Sequence, residues 1–371
     1  MRGILPVFLI AALCAAHATS ATAAAQRTFV KSDGLDTNAC TIPAPCRSFG
    51  KAITQTNDGG EIVVLDSAGY GPVAITKSVS IIAPRGIYAG VTVFGGGDGV
   101  TVATAGIDVI LQGLTINGLG GARGIAFLAG NSLLIEDCVI SGMGSVGILL
   151  SGSNTQSSVR NTIARDNAGG GIRLASITTG TVTAVLDAVT SEQNGGNGLE
   201  SGSGARLRVR GGSYSYNSGA GVALLATLSN TAGAAVSITD ARIMSNGAQG
   251  VRLFPGASNP AQIEALIADC EIASNLGDGV SVITGAVTGW NIRATLARNR
   301  IFRNTGNGVF TQEPAASVLV ILVGNTITRN TDAGMRNDIA NPAGVTSSQD
   351  NMVDKNDGPE TAGTIGTFVG T

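Results

Sequence analysis

Three stretches of the sequence repeat one pattern at a fixed interval. They are Asn-Gly-Ala-Gln-Gly-Val at 246–251, Asn-Leu-Gly-Asp-Gly-Val at 275–280 and Asn-Thr-Gly-Asn-Gly-Val at 304–309. Each begins with an Asn, has a Gly four residues later and continues with an apolar residue. The step occurs seven times, with Asn167, Asn194, Asn217, Asn246, Asn275, Asn304 and Asn330 leading to Gly171, Gly198, Gly221, Gly250, Gly279, Gly308 and Gly334. An internal repeat of this length indicates a solenoid.

A second column of small residues lies upstream of each Asn. Its members are Cys138, Asn161, Ala188, Gly212, Ala241, Cys270, Asn299 and Asn325. Small residues at equivalent places predict a tight bend that points into the coil. Both free thiols in this column, Cys138 and Cys270, are therefore expected to be buried and inert.

Short apolar segments between these columns are too brief for helices of this period. Stacked coils, about 4.8 Å apart, let each strand pair with the coils above and below. We expect the Asn side chains to bond one another in a ladder, as in cross-β stacks. The Gly column is expected to supply φ freedom and close backbone approach.

The predicted fold is all-β, a single-stranded right-handed parallel β-helix (solenoid) with a short N-terminal capping helix. Residues 46–56 place Phe49 and Ile53 on one helical face. Residues 61–65, 73–75 and 79–83 read as the first strands. One domain is expected: cap and first turns over 26–116, regular repeats over 117–339 and a loosely ordered C-terminal cap or tail over 340–371.

Residues 1–25 have the pattern of a secretory signal, with Arg2 before the apolar stretch 4–13 and cleavage expected near Ala25. The predicted location is periplasmic or secreted, and no membrane span is expected. In that oxidising setting Cys40 and Cys46 are expected to form a disulfide. The formal net charge of -2 gives no strong field for nucleic acid, so no nucleic-acid partner is expected.

The repeats resemble those of the pectin-lyase-like superfamily of parallel β-helix proteins over most of residues 27–355. The segment from Phe29 to Cys40, followed by Pro45-Cys-Arg-Ser-Phe, also resembles the opening of such proteins. The resemblance implies the fold. It leaves the activity open, because the superfamily includes polysaccharide lyases, hydrolases, esterases, tailspikes and proteins without known activity.

Histidine chemistry is excluded after residue 25, because His17 is the chain's one histidine. This removes histidine as general base, acid or metal ligand. An Asp- and Arg-based site stays possible, and the candidates recur just before the small column: Asp137, Asp187, Asp240 and Asp269, with Arg160 and Arg298 at the equivalent place in other turns. The simpler interpretation of these residues is a solvated charged face.

Three aromatic residues are candidate sugar platforms: Tyr214, Tyr216 and Trp290. The alternation of Tyr214 and Tyr216 suggests that both lie on one face. The longest coils also carry their extra residues near 226–235, 255–262, 284–291 and 311–316. We expect these loops to form a wall with a ligand groove beside it.

Three functions fit these observations. The first is a non-catalytic module that contacts polysaccharide or cell-envelope glycan and needs no cofactor. The second is a polysaccharide lyase or esterase that uses Asp240, Asp269 and Arg298, and only this alternative would call for Ca²⁺. The third is a structural or adhesive surface protein without a defined groove. The oligomeric state stays open.

Overall fold

The computed structural model describes residues 25–175, 179–226, 230, 233–255, 262–284, 291–312, 317–339 and 344–368. The predicted signal segment and most of the long loops lie outside these residues. The described chain forms a right-handed parallel solenoid of about 10 turns with one short helix, as predicted. Each regular coil contributes one strand to each of three parallel sheets.

Sheet 1 has 14 strands. They are β1 (Ala25–Val30), β2 (Thr56–Val64), β5 (Val79–Ile82), β8 (Asp108–Gln112), β11 (Ser132–Glu136), β14 (Thr155–Arg160), β17 (Val182–Asp187), β20 (Ala205–Arg210), β23 (Ala234–Thr239), β26 (Gln262–Ala268), β29 (Asn291–Ala297), β32 (Ser317–Val323), β35 (Val345–Ser348) and β38 (Gly366–Phe368).

Sheet 2 has 12 strands, most of them three residues long. They are β3 (Ala68–Gly69), β6 (Ala89–Phe94), β9 (Leu114–Leu119), β12 (Val139–Ser141), β15 (Ile163–Arg165), β18 (Thr190–Glu192), β21 (Ser213–Ser215), β24 (Arg242–Met244), β27 (Glu271–Ala273), β30 (Arg300–Phe302), β33 (Thr326–Thr328) and β36 (Met352–Asp354).

Sheet 3 also has 12 strands. They are β4 (Val73–Ile75), β7 (Asp98–Ala103), β10 (Arg123–Ala129), β13 (Val146–Leu150), β16 (Gly170–Leu174), β19 (Leu199–Ser201), β22 (Val222–Ala226), β25 (Val251–Pro255), β28 (Val280–Ile283), β31 (Val309–Gln312), β34 (Met335–Asp338) and β37 (Thr361–Ala362). Alternate residues of all three sheets point inward and form one continuous apolar core.

The predicted capping helix is α1 (Phe49–Gln55), which buries Phe49, Ala52 and Ile53 against the first coils. The helix begins after Ser48, whose Oγ accepts a hydrogen bond from the Lys51 N–H at 3.1 Å. Such a side chain satisfies one of the donors that a helix N-terminus leaves open. The predicted disulfide between Cys40 and Cys46 is also present.

The predicted asparagine ladder is confirmed at the bend between sheets 2 and 3. Each Asn Nδ2 donates to the Oδ1 of the Asn one coil further on, as from Asn246 to Asn275 at 2.9 Å. The ladder runs unbroken from Asn167 to Asn356, and its members up to Asn330 are almost fully buried. It therefore defines the register of the coils.

The glycines that follow the ladder are required by close approach. A Cβ on Gly250 would lie 2.6 Å from the Gly279 carbonyl oxygen and 2.8 Å from Asn275 Nδ2. The expectation that this column needs φ freedom is wrong, because none of its members has a positive φ. The next coil simply leaves no space for a side chain.

The small-residue column is shifted by one residue in two coils. Strand pairing aligns Cys138 with Thr162 and Val189, whereas Asn161 and Ala188 stand one position earlier, in the left-handed turn. Asn161 and Ala188 are small enough for either the turn position or the position after it. The sequence alignment therefore placed them in the small-residue column, one residue away from its true members. At the other end, this column becomes a second ladder of Asn299, Asn325 and Asn351.

The C-terminal part is a further coil rather than a loose tail. Strands β35 to β38 add to all three sheets. Asn351 and Asn356 extend both ladders into it, so it has the same internal hydrogen bonds as the preceding coils.

Candidate functional site

A depression lies on the outer face of sheet 1, across β17, β20, β23, β26 and β29. Its volume is about 620 Å³, within the usual range for a ligand site. Small outward residues on β23, Ala235 and Ser237, form its floor. Larger side chains on the neighbouring coils form its sides. We call this depression the sheet 1 groove.

Two outward rows of the sheet define the groove. The first row runs Thr183, Arg206, Ala235, Glu264 and Arg293, and the second runs Val185, Arg208, Ser237, Leu266 and Thr295. Neighbouring members belong to adjacent coils, so each step is about 4.8 Å. The floor is therefore one coil wide, with long side chains on either side.

The charges that line the groove are mainly positive. Arg206 and Arg208 stand on one side of the floor, and Arg293 stands two coils beyond it. Glu264 is the one carboxylate among the described lining residues, and it accepts a hydrogen bond from Gln262 Nε2 at 2.9 Å. Leu266, which is 39% exposed, adds an apolar patch beside the floor.

The groove lies on strands that directly follow the predicted loops. Strands β23, β26 and β29 begin where the segments 226–235, 255–262 and 284–291 end. Most of these loops, and all of 313–316, lie outside the described residues. The predicted wall therefore stays a prediction, while a groove is present on the strands next to it.

The structure brings Asp240, Asp269 and Arg298 together at the bend between sheets 1 and 2. Arg298 donates to both carboxylate oxygens of Asp269, from Nε at 2.8 Å and from Nη2 at 2.6 Å. The depression around the three residues has a volume of about 220 Å³. This is smaller than most ligand pockets.

The ion pair fixes both partners in their charged forms. The hydrogen bond from Arg298 holds the pKa of Asp269 below its usual value, against a small opposing effect of burial. The hydrogen bond and charge of Asp269 raise the pKa of Arg298. A general base must be free to accept a proton, which a protonated Arg298 cannot do. A general acid must hold a proton near neutral pH, which Asp269 does not, so the pair opposes both roles.

Asp187 and Arg160 do not belong to that cluster. Strand pairing places Glu136, Arg160, Asp187 and Arg210 in one outward row, one residue before Asp240 and its equivalents. Charges of alternating sign face one another along this row. The row matches the predicted solvated charged face, in which opposite neighbours are mildly favourable.

The two tyrosines face opposite ways, so the expectation of a shared face is wrong. Tyr214 lies in β21 and is fully buried in the core, where it cannot stack on an external sugar. Tyr216 comes after the strand end, has a φ of 59° and is 64% exposed. Trp290 lies outside the described residues.

Both free thiols are buried, as expected. Burial raises the pKa of Cys138 to about 12 and that of Cys270 to about 11. Each thiol also donates to backbone carbonyls within the core. Both stay protonated at neutral pH and are unreactive.

These features define a right-handed parallel β-helix with a charged groove on its broadest sheet. The model of the family described as "Right handed beta helix region" matches residues 63–186 and 225–357, more than half of the chain. The chain belongs to this family. No curated protein sequence matches it.

Several solved structures share the fold at low sequence identity. XylC in complex with xylose is 8% identical, with a TM-score of 0.60 over 91% of this chain and 86% of that one. A variant of the periplasmic alginate epimerase AlgG is 13% identical, with a TM-score of 0.57 over 83% and 77%. The A-module of the Azotobacter vinelandii mannuronan C-5 epimerase AlgE6 is 15% identical, with a TM-score of 0.52 over 84% and 91%.

Among the described residues, no helix is long and apolar enough to cross a membrane. The residues that line the groove were not among the candidates predicted from the sequence. A signal was available, because Arg206, Ala235, Glu264 and Arg293 follow one another at the same 29-residue interval as the Asn ladder. Extending the repeat alignment to the strands of sheet 1 would have shown a row of charged and small residues.

Proposed function

We propose that the protein is a non-catalytic module that binds an acidic polysaccharide in the sheet 1 groove. The observation that carries the proposal is the arrangement of Arg206, Arg208 and Arg293 around a floor of small residues. Guanidinium groups pair with carboxylates in a planar, two-pronged geometry. A chain that lies across the strands would meet Arg206 and Arg208 on one coil and Arg293 three coils, about 14 Å, further along.

The composition of the groove supports binding without catalysis. Glycoside hydrolysis generally needs two carboxylates on opposite sides of the bond. The described lining residues offer Glu264 alone. Leu266 and Val185 provide apolar surface for the faces of sugar rings, and Ser237 and Thr295 provide hydroxyl groups for hydrogen bonds.

The similar structures support a carbohydrate ligand in general terms. Two of them are alginate or mannuronan epimerases, and the third is XylC in complex with xylose. At 8–15% identity this likeness extends to the fold alone. The assignment to this chain therefore depends on the groove and on the binding experiment.

The test measures binding of the full chain to polygalacturonate and alginate, with neutral xylan for comparison, by affinity electrophoresis and calorimetry. We expect binding to the acidic glycans that weakens with salt, because exposed charges are screened. The double variant Arg208→Gln with Arg293→Gln should bind at least about tenfold more weakly, the equivalent of about 1.4 kcal/mol.

The charge-matched control is Arg27→Gln with Arg160→Gln, two exposed arginines on sheet 1 outside the groove. It should bind like the unmodified chain. Equal losses in the control and in the double variant would show that net charge, not the groove, governs binding. A complete lack of glycan binding would reject the proposal in favour of a structural or adhesive surface role.

A second candidate is the Asp- and Arg-based lyase or esterase, favoured by the proximity of Asp240, Asp269 and Arg298. The saturated ion pair between Asp269 and Arg298 argues against it. Incubation with uronate glycans, with and without Ca²⁺, followed by ultraviolet detection of unsaturated product tests the lyase directly. Product that disappears in Asp269→Asn would reverse our order of preference.

We also propose that the protein acts outside the cytoplasm, in the periplasm or after secretion. The disulfide between Cys40 and Cys46 supports this location, because such bonds persist in oxidising compartments. Fractionation of producing cells, with mass spectrometry of the N-terminus, tests it. Cytoplasmic protein with Met1 or Arg2 at its N-terminus would contradict the proposal.

A further inference from the structure

A column of turn residues stands at the bend between sheets 2 and 3, one residue before each ladder asparagine. We call it the left-handed turn column. Its members are Asp166, Gln193, Tyr216, Ser245, Ser274, Arg303, Arg329 and Lys355. All have φ between 55° and 59°. Consecutive members belong to consecutive coils, because the asparagines that follow them are bonded in that order.

The residue types in this column are unusual for the backbone conformation. Left-handed φ is costly for residues with a Cβ and is best tolerated by Gly, Asn and Asp. The equivalent bend between sheets 1 and 2 follows that rule in most coils, with Asp137, Asn161, Gly211, Asp240, Asp269 and Gly324. In the left-handed turn column every member after Asp166 departs from it, and such departures concentrate at functional positions.

The last three members place like charges directly above one another. Arg303, Arg329 and Lys355 are exposed and occupy three consecutive coils, about 4.8 Å apart. Like charges on facing strand positions are unfavourable. Lys355 reaches Asp354 at 3.8 Å, whereas Arg303 and Arg329 form no ion pair within the described part of the chain. Two of the three cations, Arg303 and Arg329, are therefore not paired with a carboxylate of the described residues.

Two hydroxyl side chains and an aromatic ring continue the column beyond the cations. Ser274 and Ser245 follow Arg303, and Tyr216 stands three coils from it with its ring exposed. From Tyr216 to Lys355 the column spans five coil steps, about 24 Å along the solenoid axis. Cations, hydroxyls and one aromatic ring in a straight line suit an extended sugar chain that carries negative charges.

We propose that the left-handed turn column is a second binding surface, for an acidic glycan that runs along the solenoid axis. Its anionic groups, carboxylate or sulfate, would pair with Arg303, Arg329 and Lys355, and a ring of the same chain would stack on Tyr216. The column lies at the corner formed by sheets 2 and 3, away from the sheet 1 groove. Glycan binding at the column therefore does not depend on glycan binding in the sheet 1 groove.

The test replaces the three cations by the residue that best suits their backbone: Arg303→Asn with Arg329→Asn and Lys355→Asn. Because Asn tolerates left-handed φ, the triple variant should fold normally, and its Tm should be equal to or above that of the unmodified chain. In the background of the groove variant Arg208→Gln with Arg293→Gln, which leaves only the column to bind, the triple substitution should lower the affinity for heparin and for polygalacturonate, measured in separate arms, at least about tenfold. The slope of log Kd against log salt should decrease by about two, since each paired cation contributes about 0.7 on a linear polyanion.

The charge-matched control changes three exposed arginines elsewhere, Arg27, Arg85 and Arg160, to Gln, and should retain most of the binding. A separate change, Tyr216→Asn, should weaken binding without changing the salt slope, because stacking carries no charge. Equal losses in the control and in the triple variant would overturn the proposal. Unchanged glycan binding by the triple variant would also overturn the proposal. The same holds if the protein binds single-stranded DNA but neither heparin nor polygalacturonate.

The groove variant Arg208→Gln with Arg293→Gln is measured in parallel with the triple variant. Binding that is lost in the groove variant and kept in the triple variant supports the groove alone and rejects this inference. The reverse result supports the column and rejects the groove. The two proposals can therefore fail separately.

Discussion

Asn246 donates both its side-chain Nδ2 and its backbone N–H to Oδ1 of Asn275, at 2.9 and 3.1 Å. Asn275 makes the same pair of bonds to Asn304. From Asn194 onward each amide oxygen of the ladder accepts two bonds, and each amide nitrogen also donates to the preceding coil, as from Asn275 to the Ile243 carbonyl. The ladder is a polar network that is fully satisfied inside an apolar core.

Replacement of Asn275 by Ala should therefore be strongly destabilising. It leaves the Asn246 backbone N–H buried without a partner and removes one bond each from Asn246 Nδ2 and the Oδ1 of Asn304. A buried polar group left unsatisfied costs about 1–3 kcal/mol. We expect a loss of about 3 kcal/mol or more in the free energy of unfolding by urea titration. The control Asn291→Ala removes an exposed amide and should change stability by less than about 0.5 kcal/mol.

The substitution Gly250→Ala tests the packing of consecutive coils. The added methyl group would meet Gly279 O at 2.6 Å and Ile272 Cγ2 at 2.5 Å, so the coils must separate. We expect a loss of about 1–3 kcal/mol, typical of overpacking. In Gly50→Ala the new methyl group has no contact closer than 3.9 Å, and helix propensity should raise stability by up to about 1 kcal/mol. Equal effects at the two sites would contradict the explanation.

Two buried tyrosines should respond in opposite directions to loss of their hydroxyl group. Tyr214 Oη is buried and has no hydrogen-bond partner in the described structure, so Tyr214→Phe removes an unsatisfied polar atom and should raise Tm. Tyr70 Oη donates to the Asp66 carbonyl at 2.6 Å, so Tyr70→Phe should cost about 1 kcal/mol. Differential scanning calorimetry of both variants provides the comparison. A lower Tm for Tyr214→Phe would indicate a partner for its hydroxyl.

The ion pair of Asp269 and Arg298 predicts a pH-dependent contribution to stability. Arg298 lowers the folded-state pKa of Asp269, so the contribution is present above the ordinary carboxylate pKa and is lost as the pH falls through the lowered value. The difference in unfolding free energy between the unmodified chain and Arg298→Gln should therefore shrink in acid. A difference that stays constant from neutral pH to below pH ~3 would contradict this assignment, since the unperturbed Asp pKa is about 3.9.

The coil boundaries could be predicted because few residue types fit them. An interior ladder position needs an amide that donates and accepts at once, and the position of Gly250 leaves no space for a Cβ. These requirements recur in every coil and appear as a period in the sequence. The register of Asn161 and Ala188 was harder to predict, because small and turn-forming residues fit both the left-handed turn position and the small-residue column next to it.

The groove could not be predicted in the same way, because outward positions of a sheet impose little restriction on residue type. Arg206 and Ala235 are neighbours only once the register of sheet 1 is known. Tyr216 shows the other difficulty. Its distance of two residues from Tyr214 suggests one face, but β21 ends at Ser215 and the left-handed turn reverses the direction of the next side chain.

The equal spacing of the longest coils has a consequence for how the molecule can change in length. Asn217, Asn246, Asn275 and Asn304 follow one another at 29 residues, and the first row of the sheet 1 groove has the same interval from Arg206 to Arg293. A segment of 29 residues can thus be copied or removed at this point while all three sheets, the ladder and the groove stay aligned. Duplication would lengthen the groove by one strand, about 4.8 Å, without any change in its cross-section.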